Sequence, residues 1–125
     1  MGTPNGKVTW FDITTNDMST ARAFYEGVFG WQLQGDPDVY LMVRPGAEGG
    51  MAGGLMPARG VPTYACFGVE VDDVDDAYTR ALELGASTVV PPTDNPGGVR
   101  SAYLRDPDGS LFSIYRFGPP AVAAS

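Results

Sequence analysis

Apolar and polar residues alternate along "KVTWFDIT", residues 7–14, so that Val8, Trp10, Asp12 and Thr14 share one face and Thr9, Phe11 and Ile13 the other. A period of two, built from β-branched and aromatic residues, predicts a strand. The period then lengthens. In "NDMSTARAFYEGVFG" the residues Met18, Ala21, Phe24, Tyr25 and Val28 recur at helical spacing. Asn16 or Asp17 is placed to cap that helix and Gly30 to stop it. Three further strands are expected in "WQLQG", "DVYLMVRP" and "GGMAGGLMP".

The same order then returns. "TYACFGVEV" alternates again, with Phe67, Val69 and Val71 opposite Cys66, Gly68 and Glu70, and "DDVDDAYTRALELG" reads as a helix ending at Gly85. "STVVPP", "VRSAYLRD" and "SLFSIYRF" predict three more strands. Trp10 aligns with Cys66, Asp17 with Asp73 and Ala21 with Ala77, each 56 residues on, and Gly30 with Gly85 after a one-residue gap. This is an internal duplication of a β-α-β-β-β unit. One helix covers only one face of its sheet, and the other face needs burial or a ligand. The expected fold class is α+β: two tandem βαβββ modules, about residues 7–57 and 62–117, pairing into a half-open mixed β-barrel with two outer helices. Residues 1–125 are expected to form one domain, with 118–125 as a flexible tail.

By parity, the face away from the helices carries Trp10, Asp12 and Thr14, then Cys66, Gly68 and Glu70, Ser101 and Tyr103, and Ser113 and Tyr115. Phe11, Ile13, Phe67, Val69, Phe112 and Ile114 fall under the helices as core. "GAEGGMAGGLMP" has glycine enough for a phosphate cradle but not the Lys-Ser/Thr ending of one, and reads as a loop plus a strand that another backbone or a ligand can approach closely. "DPDG" reads as a turn in which Asp108 bonds nearby backbone and Gly109 takes a positive φ. Asp72, Asp73, Asp75 and Asp76 read as helix capping and charge placed against the helix dipole.

Composition narrows the chemistry. The chain has no histidine, which removes the commonest metal ligand and the commonest general base at neutral pH. Its net charge is −7 and its eight Lys and Arg are scattered singly, so neither nucleic acid nor a membrane surface is an expected partner. No apolar run approaches the roughly 20 residues of a membrane span, and no signal peptide is expected at the start. A single cysteine, Cys66, leaves no internal disulfide framework and fits a reducing cytoplasm.

The ordered set "ARAFYEGVFGW", "GVEVDDVDDAYTRALELGA" and "YLRDPDGSLFSIY" resembles the vicinal oxygen chelate superfamily, which includes glyoxalase I, extradiol dioxygenases, fosfomycin-resistance proteins and bleomycin-binding proteins. The resemblance covers about residues 7–117. It implies metal ligands at four pocket-facing positions, which fall here on Trp10, on Cys66, on the stretch Gly54 to Met56, and on Ser113. Indole offers a metal no lone pair, serine is a poor ligand and one thiol does not make a zinc site. The expectation is therefore a metal-independent protein with no cofactor, binding a small, partly aromatic molecule through Trp10, Met56, Cys66, Glu70, Tyr103, Ser113 and Tyr115. Tyr103 matches a substrate-contacting tyrosine of the fosfomycin-resistance relatives, with filling of the barrel mouth as the alternative. Asp12, mid-strand between Phe11 and Ile13, is the candidate acid or base. Cys66, with no histidine to activate it, is expected to line the pocket as an inert thiol.

Three functions stay open: an enzyme or accessory protein of specialised metabolism, a non-catalytic drug- or metabolite-binding protein, and a metal-dependent lyase or dioxygenase, which the missing ligands disfavour. The resemblance also implies a homodimer.

Overall fold

The computed structural model describes residues 4–44, 49–58 and 62–119. The first alternating segment forms β1 (Pro4–Thr15), followed by α1 (Met18–Phe29), β2 (Gln32–Asp36), β3 (Tyr40–Arg44) and β4 (Ala52–Pro57). The second pass gives β5 (Ala65–Val71), α2 (Val74–Glu83), β6 (Ser87–Asn95), β7 (Val99–Arg105) and β8 (Leu111–Phe117). The chain is α+β, and the two passes have the same element order. Its two compact units are Thr9–Cys66, and Phe67 onward together with residues up to Val8.

Within the unit Thr9–Cys66 the strands lie in the order β2-β3-β4-β1. β3 pairs antiparallel with both β2 and β4, whereas β4 pairs parallel with β1, setting Trp10 opposite Ala52, Asp12 opposite Gly54 and Thr14 opposite Met56. In the other unit the order β5-β8-β7-β6 repeats the plan, with β5 parallel to β8 and the remaining pairs antiparallel.

Both helices start as the repeat predicts. Asp17 caps α1 by accepting from the Thr20 amide at 3.0 Å, and Asp73 caps α2 by accepting from the Asp76 amide at 3.1 Å. At the other end Gly30 takes the left-handed conformation, φ 72°, that lets its amide reach back to Glu26. Of the acidic run, Asp75 also forms a two-pronged ion pair with Arg100, whose third nitrogen meets Asp94.

Each helix covers an apolar sheet face. Leu33, Leu41, Val43 and Leu55 are buried with Phe11, Ile13, Met18 and Ala21 packed on them. In the other unit Val71, Val74, Ala102, Leu104 and Ile114 are buried beneath Ala77 and Ala81, with Val69 and Phe112 beside them. Parity therefore places the faces as expected, but not the depth of every residue. Phe67 is 47% exposed rather than core; it stacks on Phe112 with ring centroids 6.3 Å apart. On α1, Phe24 and Val28 are 56% and 57% exposed. Met18 and Ala21 make the apolar contact with the buried cluster, and one turn later Tyr25 sits in a ring cluster with Phe24, Phe29 and Trp31, stacking on Trp31 at 5.3 Å and 8°.

The "DPDG" turn forms with different chemistry from that expected. Asp106, not Asp108, accepts from backbone: its carboxylate takes the amides of Asp108 and Ser110 at 2.9 and 3.0 Å. Gly109 has the positive φ, 99°. Residues 45–48, where the glycine-rich loop begins, and residues 120–125, most of the expected tail, lie outside the described residues; Gly118 is bonded to Gly98 at 2.8 Å. Among the described residues no helix is long and apolar enough to cross a membrane.

Candidate functional site

β1 turns Asp12 to the face opposite α1, where it is 3% exposed. A carboxylate taken that far from water needs donors around it. Two arrive from side chains. The Tyr40 hydroxyl donates to Asp12 Oδ1 at 2.9 Å, and the Trp10 indole N–H is shared between the Tyr40 oxygen at 3.0 Å and Asp12 Oδ1 at 3.3 Å. The three groups close a triangle of hydrogen bonds across β3 and β1.

Tyr40 reaches Asp12 because β4, lying between them, carries glycine at the crossing point. A Cβ on Gly54 would fall on the Tyr40 hydroxyl and ring, and one on Gly53 would meet the Phe11 carbonyl oxygen at 2.5 Å on the other face. The Gly-Gly pair in "GGLMP" thus provides a close approach, as expected of strand glycines. In this structure the chain's own rings fill the space.

The far edge of the site is set by Thr14. Its hydroxyl accepts from the Tyr64 amide at 2.8 Å and donates to the Tyr64 carbonyl at 3.3 Å, which also receives the Thr14 amide at 2.9 Å. That clamp fixes Tyr64 and, two residues on, the buried Cys66. Burial first, and the Asp12 carboxylate second, push the Cys66 thiol up to about 12. Burial, then Cys66 and Asp12, raise Tyr64 to about 12, and burial with Asp12 raises Tyr40 further. An anion forming beside a buried carboxylate is disfavoured twice, by lost hydration and by like charge. The shift favours the protonated thiol of Cys66 and keeps the Tyr40 hydroxyl a hydrogen-bond donor.

Of the residues singled out in the sequence, Trp10, Asp12, Met56 and Cys66 belong to the unit Thr9–Cys66. The structure bonds Trp10 to Asp12, couples Cys66 to Asp12 and pairs Met56 with Thr14 on the same face. Glu70, Tyr103, Ser113 and Tyr115 belong to the other unit, where Ser113 pairs with Tyr103 and Gly68, and Glu70 with Tyr115. Ser113 is buried and donates to the Phe67 carbonyl at 3.4 Å. Sequence reasoning missed Tyr40, Tyr64 and the clamping role of Thr14. A signal existed for Tyr40: it shares strand parity with Met42, which pairs with Gly54. A separate cavity of about 700 Å³ opens on the α1 side of the sheet between Met18, Arg22, Pro37 and Pro57. It is lined largely by apolar groups and lies away from the Asp12 carboxylate.

The metal ligands that the family resemblance implies do not fit these side chains. The Trp10 N–H is a donor, Cys66 offers a single buried thiol, Gly54 has no side chain and Ser113 donates to backbone. Among the described residues no group of three or more His, Cys, Asp or Glu comes together to hold a metal ion.

Comparison with known proteins agrees with this architecture. The chain is 37% identical over 130 residues to the anthracycline biosynthesis protein DnrV of Streptomyces peucetius, covering 94% of this chain and 45% of that protein. It is 30% identical over 123 residues to the Mycobacterium tuberculosis protein CFP32, provisionally named a glyoxylase, covering 92% of this chain and 46% of that protein. The chain thus spans about half the length of these curated relatives. Among solved structures, the Mn(II)-bound glyoxalase from Novosphingobium aromaticivorans superposes with a TM-score of 0.62 at 21% identity, over 95% of this chain and 42% of that one. That likeness is one of fold. The family model of the Glyoxalase/Bleomycin resistance protein/Dioxygenase superfamily matches residues 7–114, nearly the whole sequence. The chain belongs to that superfamily.

Proposed function

We propose that this chain binds a small, partly aromatic organic molecule on the Asp12 face, without a metal ion or other cofactor, as an enzyme or accessory protein of specialised metabolism. The observation that carries the reading is the buried Asp12 carboxylate, held by Trp10 and Tyr40 on the sheet face that α1 leaves uncovered. Aromatic rings beside a few convergent polar groups are the usual makings of a small-molecule site. The anthracycline-related name of one relative suits an aromatic ligand. In the other unit Glu70, Tyr103, Ser113 and Tyr115 are the further ligand-binding candidates. We place the protein in the cytoplasm, as a homodimer in keeping with its family, with residues 1–125 as one domain.

Non-catalytic binding is the second reading, and the raised pKa of Cys66 favours it, because a neutral thiol is no activated nucleophile. Titrating the 15N-labelled protein with anthracycline-type aromatics tests the first point: the Trp10 indole resonance is expected to move. Elemental analysis that finds stoichiometric manganese, nickel, zinc or iron overturns the metal-free reading. Where turnover is found, an unchanged kcat in Asp12→Asn removes Asp12 as acid or base.

A further inference from the structure

The Tyr40 phenol is bound to its own protein as a small aromatic ligand would be. Its oxygen gives one hydrogen bond to Asp12 Oδ1 at 2.9 Å and takes one from Trp10 Nε1 at 3.0 Å. Its ring lies in a slot that exists only because residue 54 lacks a Cβ. Tyr40 is also the first residue of β3, directly after the exposed Pro37–Val39 turn. A strand-end side chain can change rotamer without breaking the ladder behind it.

We propose that this socket accepts the phenolic hydroxyl of an aromatic ligand, which displaces the Tyr40 ring and takes over both of its hydrogen bonds. The inference rests on the reading of the Asp12 face as the ligand site and narrows the ligand to a phenol. The exchange conserves donors: Asp12 loses one O–H and gains another, so the buried carboxylate is never left short of a partner. An O-methylated analogue fills the same slot but brings no proton, leaving Asp12 with one donor fewer. A site built to bond a hydroxyl rejects such a ligand strongly.

The test uses the full chain, 15N-labelled, with Trp10→Phe assigning the indole resonances of Trp10 and Trp31. 2-Naphthol and 2-methoxynaphthalene are titrated into the wild type and into Tyr40→Phe and Tyr40→Ala. In the wild type, naphthol is expected to shift the Trp10 indole N–H and to bind at least about tenfold more tightly than its methyl ether. Both variants are expected to bind naphthol more tightly than the wild type, because the competing hydroxyl is gone. Tyr40→Phe keeps the ring and answers the question even where Tyr40→Ala does not fold. Equal affinity for the two compounds, with the Trp10 resonance moved by both, overturns the phenol inference and leaves the aromatic-binding reading standing. Shifts confined to Trp31 overturn the socket. If neither compound moves Trp10 in any of the proteins, the Asp12 face is not the ligand site and both ideas fall.

Discussion

Replacing Gly54 by alanine places a methyl group where the Tyr40 hydroxyl and ring now lie. The strand backbone itself favours the change, because glycine in a strand interior is worse than alanine by about 0.5–1 kcal/mol. The ring opposes it. Tyr40 has to swing away from Asp12, and the hydrogen bond it makes to that carboxylate is worth about 1.5–3 kcal/mol. The balance is a net loss of about 1–2 kcal/mol, a modest size for overpacking. In a Tyr40→Ala background the same methyl enters space that the ring has vacated, and the sign reverses to a gain of about 0.5–1 kcal/mol. The two sites are thus coupled by about 1.5–3 kcal/mol, readable from urea unfolding of the four proteins in a double-mutant cycle. Gly53→Ala is the internal control. Its methyl meets the Phe11 carbonyl oxygen at 2.5 Å and ring at 2.6 Å on the opposite face, so its cost is expected to be the same with or without Tyr40. If Gly54→Ala destabilises both backgrounds equally, Tyr40 does not occupy the slot and the geometry of the site is wrong.

Leu41→Ala, at a fully buried position under α1, is expected to cost about 2–5 kcal/mol in urea unfolding, with the upper end if the Leu33, Val43 and Leu55 cluster does not close over the gap. Asp73→Ala removes the α2 cap and is expected to cost about 1 kcal/mol, while Asp73→Asn or Asp73→Ser recovers most of it. Arg100→Gln breaks the exposed pairs with Asp75 and Asp94; the loss of melting temperature is expected to be small at low salt and to vanish in 1 M NaCl. Cys66, Tyr64 and Tyr40 all hold their protons more tightly in the folded chain than outside it, Cys66 moving from 9.0 to about 12. The folded state therefore binds more protons above pH 9, so the stability these groups contribute is complete below that pH and falls as pH rises toward 12. Cys66→Ala and Tyr64→Phe are each expected to flatten the fall; an alkaline profile identical to the wild type counts against the buried cluster.

The duplicated period was legible because local chemistry repeats with it: Asp17 and Asp73 cap their helices, and Ala21 and Ala77 pack on their sheets, at equivalent places. Strand parity likewise assigned Asp12, Ser113 and Tyr115 to the faces they occupy, since a period of two leaves no choice once one face is apolar. Depth was harder to read. Phe24 and Val28 keep the helical spacing of a buried stripe, yet the apolar contact of α1 with the buried cluster is made by Met18 and Ala21, while Arg22 and Glu26 bond the β2 backbone at Leu33; spacing alone does not tell which positions of a stripe meet the sheet. The site was half legible for a related reason. Trp10 and Asp12 are two residues apart on one strand, so their meeting was local information. Tyr40 lies 28 residues from Asp12 and reaches it over Gly54, a contact that depends on the β3–β4–β1 register. A glycine pair in mid-strand announces that something comes close; only the register tells which side chain does. That side chain is a phenol satisfying a buried carboxylate, so the space that Gly54 leaves for it is the feature on which the phenol proposal rests.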